Sequence, residues 1–125
     1  AVISDVPKTM VYELTKFVNR DRELIPRETL LKAPSAELRP NQLDQDTLPD
    51  YAILDRILKA YVEDLRSPEE IADDFNYPLD LVRSVALRVD QNEYKRKQAP
   101  PGLKVTSKAF SVGRRFPLAQ KFSIE

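Results

Sequence analysis

The chain has 125 residues, 42% of them hydrophobic and 32% charged, with 20 Lys+Arg against 20 Asp+Glu. It contains no Cys and no His, which excludes disulfides, thiolate zinc sites and Ser-His-Asp or Cys-His catalysis within the chain. Ten Pro and two Gly favour helices separated by rigid turns over a glycine-rich strand meander.

This length corresponds to at most one domain, large enough to bury a core. No apolar run approaches membrane-spanning length, and no signal peptide is visible. The absence of Cys fits a reducing compartment, so a cytoplasmic protein without membrane contact is expected. The opening Ala1-Val2-Ile3 lacks an initiator Met, as expected of a fragment or a processed product.

In chain order, Ser4 or Asp5 is placed to cap a helix whose first turn holds Pro7. Met10, Val11, Leu14, Phe17 and Val18 then share one helical face. A short helical piece follows over Arg27 to Lys32, with Leu30 and Leu31 expected to face inward. Residues 34–50 carry Pro34, Pro40 and Pro49 among mostly polar residues, and read as one long mobile loop. Loops of this length are usually lids or disordered connections.

Residues 51–97 read as a helical region. Tyr51 to Leu65 is expected as one helix with Leu54, Ile57, Leu58 and Tyr61 on its inner face. Ser67-Pro68-Glu69-Glu70 is a capping box with Pro at the first helical position, and it opens a short helix carrying Ile71, Ala72 and Phe75. After the turn at Asn76-Tyr77-Pro78, a further helix runs from Leu79 or Asp80 to about Lys97, with Leu81, Val82, Val85, Ala86 and Val89 facing in. Residues 98–125 form a tail of alternating basic and apolar residues. No internal repeat or low-complexity tract interrupts this order.

The zero net charge hides a segregation. Through Glu93 there are 12 Lys+Arg and 19 Asp+Glu, a net of −7, and from Tyr94 onward 8 Lys+Arg and one Glu, a net of +7. Such asymmetry points to an anionic partner at one end. Lys95, Arg96 and Lys97 complement the dipole at a helix end, which by itself accounts for many such clusters. The alternative is a phosphate clamp, because ammonium and guanidinium groups pair strongly with phosphate oxygens.

In the 34–50 loop, Asp44 and Asp46 alternate loosely as in a calcium loop. The glycine and the downstream Glu of that motif are missing, and no metal site is assigned. Ser67 to Lys97 also resembles a helix-turn-helix pair, the basis of a DNA-binding alternative. Against it, Asp80, Asp90 and Glu93 on the second helix and Glu69, Glu70, Asp73 and Asp74 on the first would repel phosphates. A non-catalytic interaction module using the tail as a docking arm is a further alternative.

Three segments together resemble the C-terminal part of glutamine-dependent NAD synthases. They are Ile3-Ser4-Asp5-Val6-Pro7-Lys8-Thr9-Met10-Val11-Tyr12, then Pro34-Ser35-Ala36-Glu37-Leu38 with Gln42-Leu43-Asp44-Gln45-Asp46 and Leu48-Pro49-Asp50-Tyr51, then Asn92-Glu93-Tyr94-Lys95-Arg96-Lys97-Gln98-Ala99-Pro100-Pro101-Gly102-Leu103-Lys104-Val105 continued by Gly113-Arg114-Arg115-Phe116-Pro117-Leu118-Ala119-Gln120. The resemblance implies a mainly α chain that is the helical C-terminal fragment of an α/β synthetase domain. That domain would be Rossmann-like, of the adenine nucleotide α-hydrolase type, with its parallel sheet upstream. It also implies ATP-dependent, Mg²⁺-assisted amidation of deamido-NAD to NAD through an adenylated intermediate.

In that resemblance Ser35 corresponds to an ATP-phosphate contact, and Lys95, with Tyr94 and Arg96, to deamido-NAD contacts. Gln42, Asp44 and Asp46 lie in the substrate loop. Ser4 and Asp5 stand where related ammonia-dependent enzymes carry an ATP-contacting Lys, which favours the glutamine-dependent branch. The family's Ser-Gly-Gly-x-Asp-Ser phosphate loop and glutaminase Cys are missing from these residues. The chain is therefore expected to be inactive alone, to depend on the upstream remainder of the synthetase domain and on a glutaminase domain, and to work in a homo-oligomer. An apolar face is expected to remain exposed in isolation.

Overall fold

A computed structural model describes residues 2–35, 38–108, 113–114 and 116–117. The chain divides into two compact units, Pro7–Asp55, and Ala1–Val6 with Arg56–Glu125. The described residues are helical and contain no strand. No helix among them is long and apolar enough to cross a membrane.

In the Pro7–Asp55 unit, α1 spans Lys8–Val18 and α2 spans Arg27–Leu31. Pro7, not Ser4 or Asp5, occupies the position before α1 and offers no side-chain cap; the Asp55 carboxylate instead accepts from the Thr9 amide in the first turn at 2.8 Å. The expected helix is present, and its apolar face is uncovered. Met10, Leu14, Phe17 and Val18 are exposed, and Thr15, whose hydroxyl bonds the Val11 carbonyl at 2.8 Å, is the buried residue of α1. Leu31 is likewise exposed rather than turned inward. Helical periodicity identifies a helix's apolar side without identifying what covers it.

Asn19 ends α1 and organises the link to α2. Its carbonyl oxygen accepts from the Leu24 and Ile25 amides at 3.0 and 2.9 Å, and its amide donates to the Ile25 carbonyl at 2.8 Å. The loop after α2 contains a 3₁₀ turn, Asp44–Asp46. The Asp44 amide donates to the Pro34 carbonyl at 3.0 Å, closing the loop's base. Helix α3, Tyr51–Leu58, begins in this unit and ends in the other.

The second unit holds most of the core. A π-helical turn, Lys59–Glu63, extends α3 and buries Ala60 and Val62 beside Ile57. The helical run therefore stops before Leu65, which is exposed in a left-handed conformation at φ 56° while the Arg66 amide reaches back to the Ala60 carbonyl. Helix α4, Pro68–Phe75, contributes Ile71 and Ala72, and α5, Leu79–Gln91, contributes Val82, Val85, Ala86 and Val89.

The helix expected to continue to Lys97 is broken. The Asn92 side-chain amide donates to the Arg88 carbonyl at 2.8 Å, the backbone turns at φ −93° and ψ 7°, and a short helix α6, Glu93–Gln98, restarts. An Asn side chain that competes for helix carbonyls favours such an end.

The capping box is present as expected. The Ser67 hydroxyl accepts from the Glu70 amide at 3.2 Å, and the Glu70 carboxylate accepts from the Ser67 amide at 2.9 Å. Those bonds, the backbone one first, hold the Glu70 carboxyl below its ordinary 4.5. Ser67→Ala is expected to cost about 1 kcal/mol, read as a lower urea midpoint. A carboxyl lowered in the folded state contributes stability above its unfolded value and loses it as pH falls through the folded one. The deficit of the variant should therefore shrink in acid, and a deficit that grows there refutes the linkage.

Asp5 has a different role from the cap expected of it. It is buried, and its carboxylate accepts from the Val105 and Thr106 amides, both at 2.7 Å, and from the Thr106 hydroxyl at 3.0 Å. Ser107 donates to Glu63 through its amide at 3.2 Å and its hydroxyl at 2.6 Å. The tail is thus strapped to its unit by acidic side chains. Multiple donors on one carboxylate compensate the desolvation that burial imposes.

Candidate functional site

In the Pro7–Asp55 unit, α1, α2 and the following loop enclose a cleft of about 280 Å³ that gathers Lys8, Tyr12, Lys32, Ser35 and Asp44. A second hollow of about 580 Å³ shares Lys32 and Ser35 and adds Arg39 and Gln42. Ser35, Asp44 and Gln42, singled out in the sequence, are therefore brought to adjoining cavities, whereas Asp46 lines neither.

The polar loop residues also build the loop. The Gln42 side-chain oxygen accepts from the Leu38 amide at 3.1 Å, and Asp46 accepts from the Leu43 amide at 2.9 Å. Tyr51 donates its hydroxyl to Asp44 at 2.5 Å, and burial followed by this bond pushes its phenol well above the usual tyrosine range. Tyr51 thus stays protonated and anchors Asp44 at the cleft wall. No group of three or more metal-ligating side chains converges among the described residues.

Sequence reasoning missed Lys8 and Lys32 as cleft residues. The available signal was their placement, one in Pro7-Lys8-Thr9 at the entry to a helix and the other three residues before Ser35. Two ammonium groups and a hydroxyl on one cleft form a donor set suited to phosphate oxygens.

In the other unit the basic cluster lies in the last turn of α6. Tyr94 and Lys95 are exposed, with the Lys95 ammonium 5.9 Å from the centre of the Tyr94 ring. Arg96 is turned inward. Its guanidinium donates to Glu93 Oε2 at 3.1 and 2.9 Å and also to the Val89 carbonyl. Lys97 approaches Glu93 Oε1 at 4.0 Å.

Arg114, from the tail, donates to the same Glu93 Oε2 at 3.0 Å and pairs with Asp90. Its guanidinium lies 4.5 Å from the Phe116 ring centre and 5.6 Å from that of Tyr61. Burial and a hydrogen bond to Asp90 push the Tyr61 phenol up to about 12. A phenol raised in this way contributes stability that is full below its unfolded value and is lost as pH climbs through the folded one. Part of the segregated charge is thus neutralised inside the chain. Arg115, Leu118, Ala119 and Gln120 of the tail motif, and Ala36 and Glu37 of the loop motif, lie outside the described residues.

The expected helix-turn-helix pair exists as α4, the left-handed Asn76 at φ 53°, and α5. Arg83, at the entry to the second helix, is paired with Glu69 at 2.9 Å. The face a DNA reader would need is therefore acidic or internally neutralised, which disfavours the nucleic-acid alternative.

A family model described as NAD synthase matches residues 1–99. The glutamine-dependent NAD(+) synthetase of Synechocystis is 48% identical over 122 residues, covering 98% of this chain and 22% of the relative. That of Aquifex aeolicus is 51% identical over 122 residues, covering 98% and 21%. Among solved structures, the glutamine-dependent NAD+ synthetase from Acinetobacter baumannii in complex with ADP is 35% identical with a TM-score of 0.55, covering 91% of this chain and 19% of that one. The chain spans about a fifth of the length of these relatives. Their alignments run on into the tail, beyond the end of the family match.

Proposed function

The chain belongs to the NAD synthase family, and we propose that it is the C-terminal part of the synthetase region of a glutamine-dependent NAD synthase. The observation that carries the functional reading is the cleft joining Lys8 and Lys32 to Ser35, in a chain whose relatives bear that enzyme's name. A donor set of this kind suits ATP phosphates.

The reaction is amidation of a carboxylate. The nicotinate carboxylate of deamido-NAD attacks the α-phosphorus of ATP, pyrophosphate leaves, and ammonia then displaces AMP to give NAD. Adenylation is needed because a free carboxylate oxygen is a poor leaving group. Lys8, Lys32 and Ser35 offset charge on the phosphates as pyrophosphate separates. The exposed Tyr94 and Lys95 form a deamido-NAD edge, the ring offering a flat apolar face and the ammonium a charge for phosphate or carboxylate. Arg96 supports that edge from within α6.

Mg²⁺ accompanies the nucleotide, but these residues do not build its site. Asp44 receives the Tyr51 hydroxyl, Asp46 receives the Leu43 amide, and no third acid joins them among the described residues. The phosphates, water and the remainder of the enzyme supply its ligands.

That remainder also supplies the parallel sheet of a Rossmann-like domain, the glycine-rich phosphate loop and the glutaminase that releases ammonia. The uncovered face of α1, with Met10, Leu14, Phe17 and Val18 exposed, packs on it or on a second subunit of a cytoplasmic homo-oligomer.

In the full-length enzyme, Ser35→Ala is expected to raise KM for ATP, and Lys95→Ala to raise KM for deamido-NAD about tenfold or more. The isolated 125-residue chain is expected to make no NAD. Unchanged KM values in both variants would sink the site assignment, and NAD formation by the isolated chain would sink its reading as a dependent part.

A further inference from the structure

Resting on the dinucleotide reading of α6, we propose that Arg114 is a positioning residue: through Glu93 it orients α6, and with it the Tyr94–Lys95 edge that meets deamido-NAD.

Helix α6 has only six residues and follows a break at Asn92. A helix this short is marginal by itself and takes its orientation from tertiary contacts. Its first residue, Glu93, is 1% exposed. A buried carboxylate is tolerated only with compensating charge and hydrogen bonds. Arg96 supplies two of those bonds from within α6 and also donates to the Val89 carbonyl of α5, so it moves with the helix and shares the task of locating it.

Arg114 is the partner from outside. It reaches Glu93 from 21 residues further along the chain, and it simultaneously holds Asp90 in the last turn of α5. Its side chain is itself 9% exposed and lies against the Tyr61 and Phe116 rings. One rigid guanidinium thus ties α5, α6 and an aromatic wall together, a task its planar fork suits better than an ammonium does.

Helical spacing converts this inward anchor into an outward one. Glu93, Arg96 and Lys97 are three and four residues apart and share a face, whereas Tyr94 and Lys95 project elsewhere and are exposed. A rotation or shift of α6 about Glu93 therefore displaces Tyr94 and Lys95. Among the described residues Glu93 Oε1 has no hydrogen-bond partner, Lys97 standing 4.0 Å away, so the hydrogen-bonded tie rests on Oε2, which Arg96 and Arg114 share. The strap bonds of Thr106 to Asp5 and of Ser107 to Glu63 hold the same tail in place on the way to Arg114.

The test is steady-state kinetics on the full-length enzyme, with deamido-NAD and ATP varied separately. The variants are Arg114→Ala, Arg114→Lys, Lys95→Ala and the two Arg114 changes combined with Lys95→Ala. Arg114→Ala is expected to raise KM for deamido-NAD about tenfold, with KM for ATP and kcat within about threefold of the parent. Arg114→Lys, keeping the charge without the fork, should raise it about threefold. Neither should add to the effect of Lys95→Ala, because Arg114 acts through that edge.

Additive effects, or equal rises in both KM values, overturn the proposal. Where Arg114→Ala does not fold, the Arg114→Lys cycle decides by the same criterion. Should Lys95→Ala leave KM for deamido-NAD unchanged, the underlying reading of α6 fails and the proposal falls with it. Should Lys95→Ala raise it while the Arg114 variants do not, the positioning role alone fails.

Discussion

Replacing Glu93 with Ala is expected to destabilise the chain by about 3 kcal/mol or more. The carboxylate is buried and accepts from Arg96 and Arg114, whose side chains are 20% and 9% exposed. Its removal leaves guanidinium groups in a poorly hydrated place. Arg114 keeps Asp90 and Arg96 keeps the Val89 carbonyl as partners, but Arg96 loses its two bonds to Glu93. Glu93→Gln preserves the shape and one acceptor, so it should cost less. Urea unfolding of the two variants followed by far-UV circular dichroism checks the order. A Gln variant less stable than the Ala variant would show that shape, not charge pairing, sets the role of this residue.

Ile57→Ala is the second large effect, expected at about 3 kcal/mol. Ile57 has no exposed surface and lies in the α3 segment that enters the larger unit, beside the buried Ala60 and Val62. Truncation removes three heavy atoms and leaves a cavity that packed neighbours only partly fill. Phe17→Ala is the informative contrast. Phe17 is 61% exposed, so in the isolated chain its loss should change stability by no more than about 0.5 kcal/mol. If the α1 face packs in the full-length enzyme as proposed, the same change should cost substantially more there. Differential unfolding of both variants in both contexts measures this. Equal effects of Phe17→Ala in the two contexts would mean that α1 stays uncovered.

These two residues mark where sequence reasoning reached and where it stopped. They are Ile57, on a local apolar pattern, and Glu93, whose burial depends on a distant partner. Ile57 was legible as an inner-face residue because period 3.6 is a property of consecutive residues. The Ser67–Glu70 box, the α4 to α5 turn and the basic last turn were legible for the same reason. Glu93, by contrast, read as one more acid opposing an anionic partner. Nothing in its neighbourhood signals that it is buried, since the pair that permits burial includes Arg114 from 21 residues away.

The candidate site divides in the same way. Ser35 and Lys95 were singled out by motif resemblance, and Gln42 and Asp44 with them. The gathering of Ser35, Gln42 and Asp44 with Lys8 and Lys32 in adjoining cavities depends on how α1, α2 and the loop fold back on one another, while Lys95 lies apart from them on α6. The role of Asp5 was misread because a residue two before a proline looks like a cap. Its carboxylate instead meets donors 100 and 101 residues away. Local rules choose among local partners and cannot weigh distant ones.

By itself, then, the sequence determined the helical class, most helix positions, the segregated charge and the resemblance that the family match bears out. These are properties of spacing and composition. Tertiary structure alone decided which charges are spent internally, which apolar faces are covered and where the long helices break. Those outcomes depend on burial, and burial is set by what lies next to a residue in space rather than along the chain.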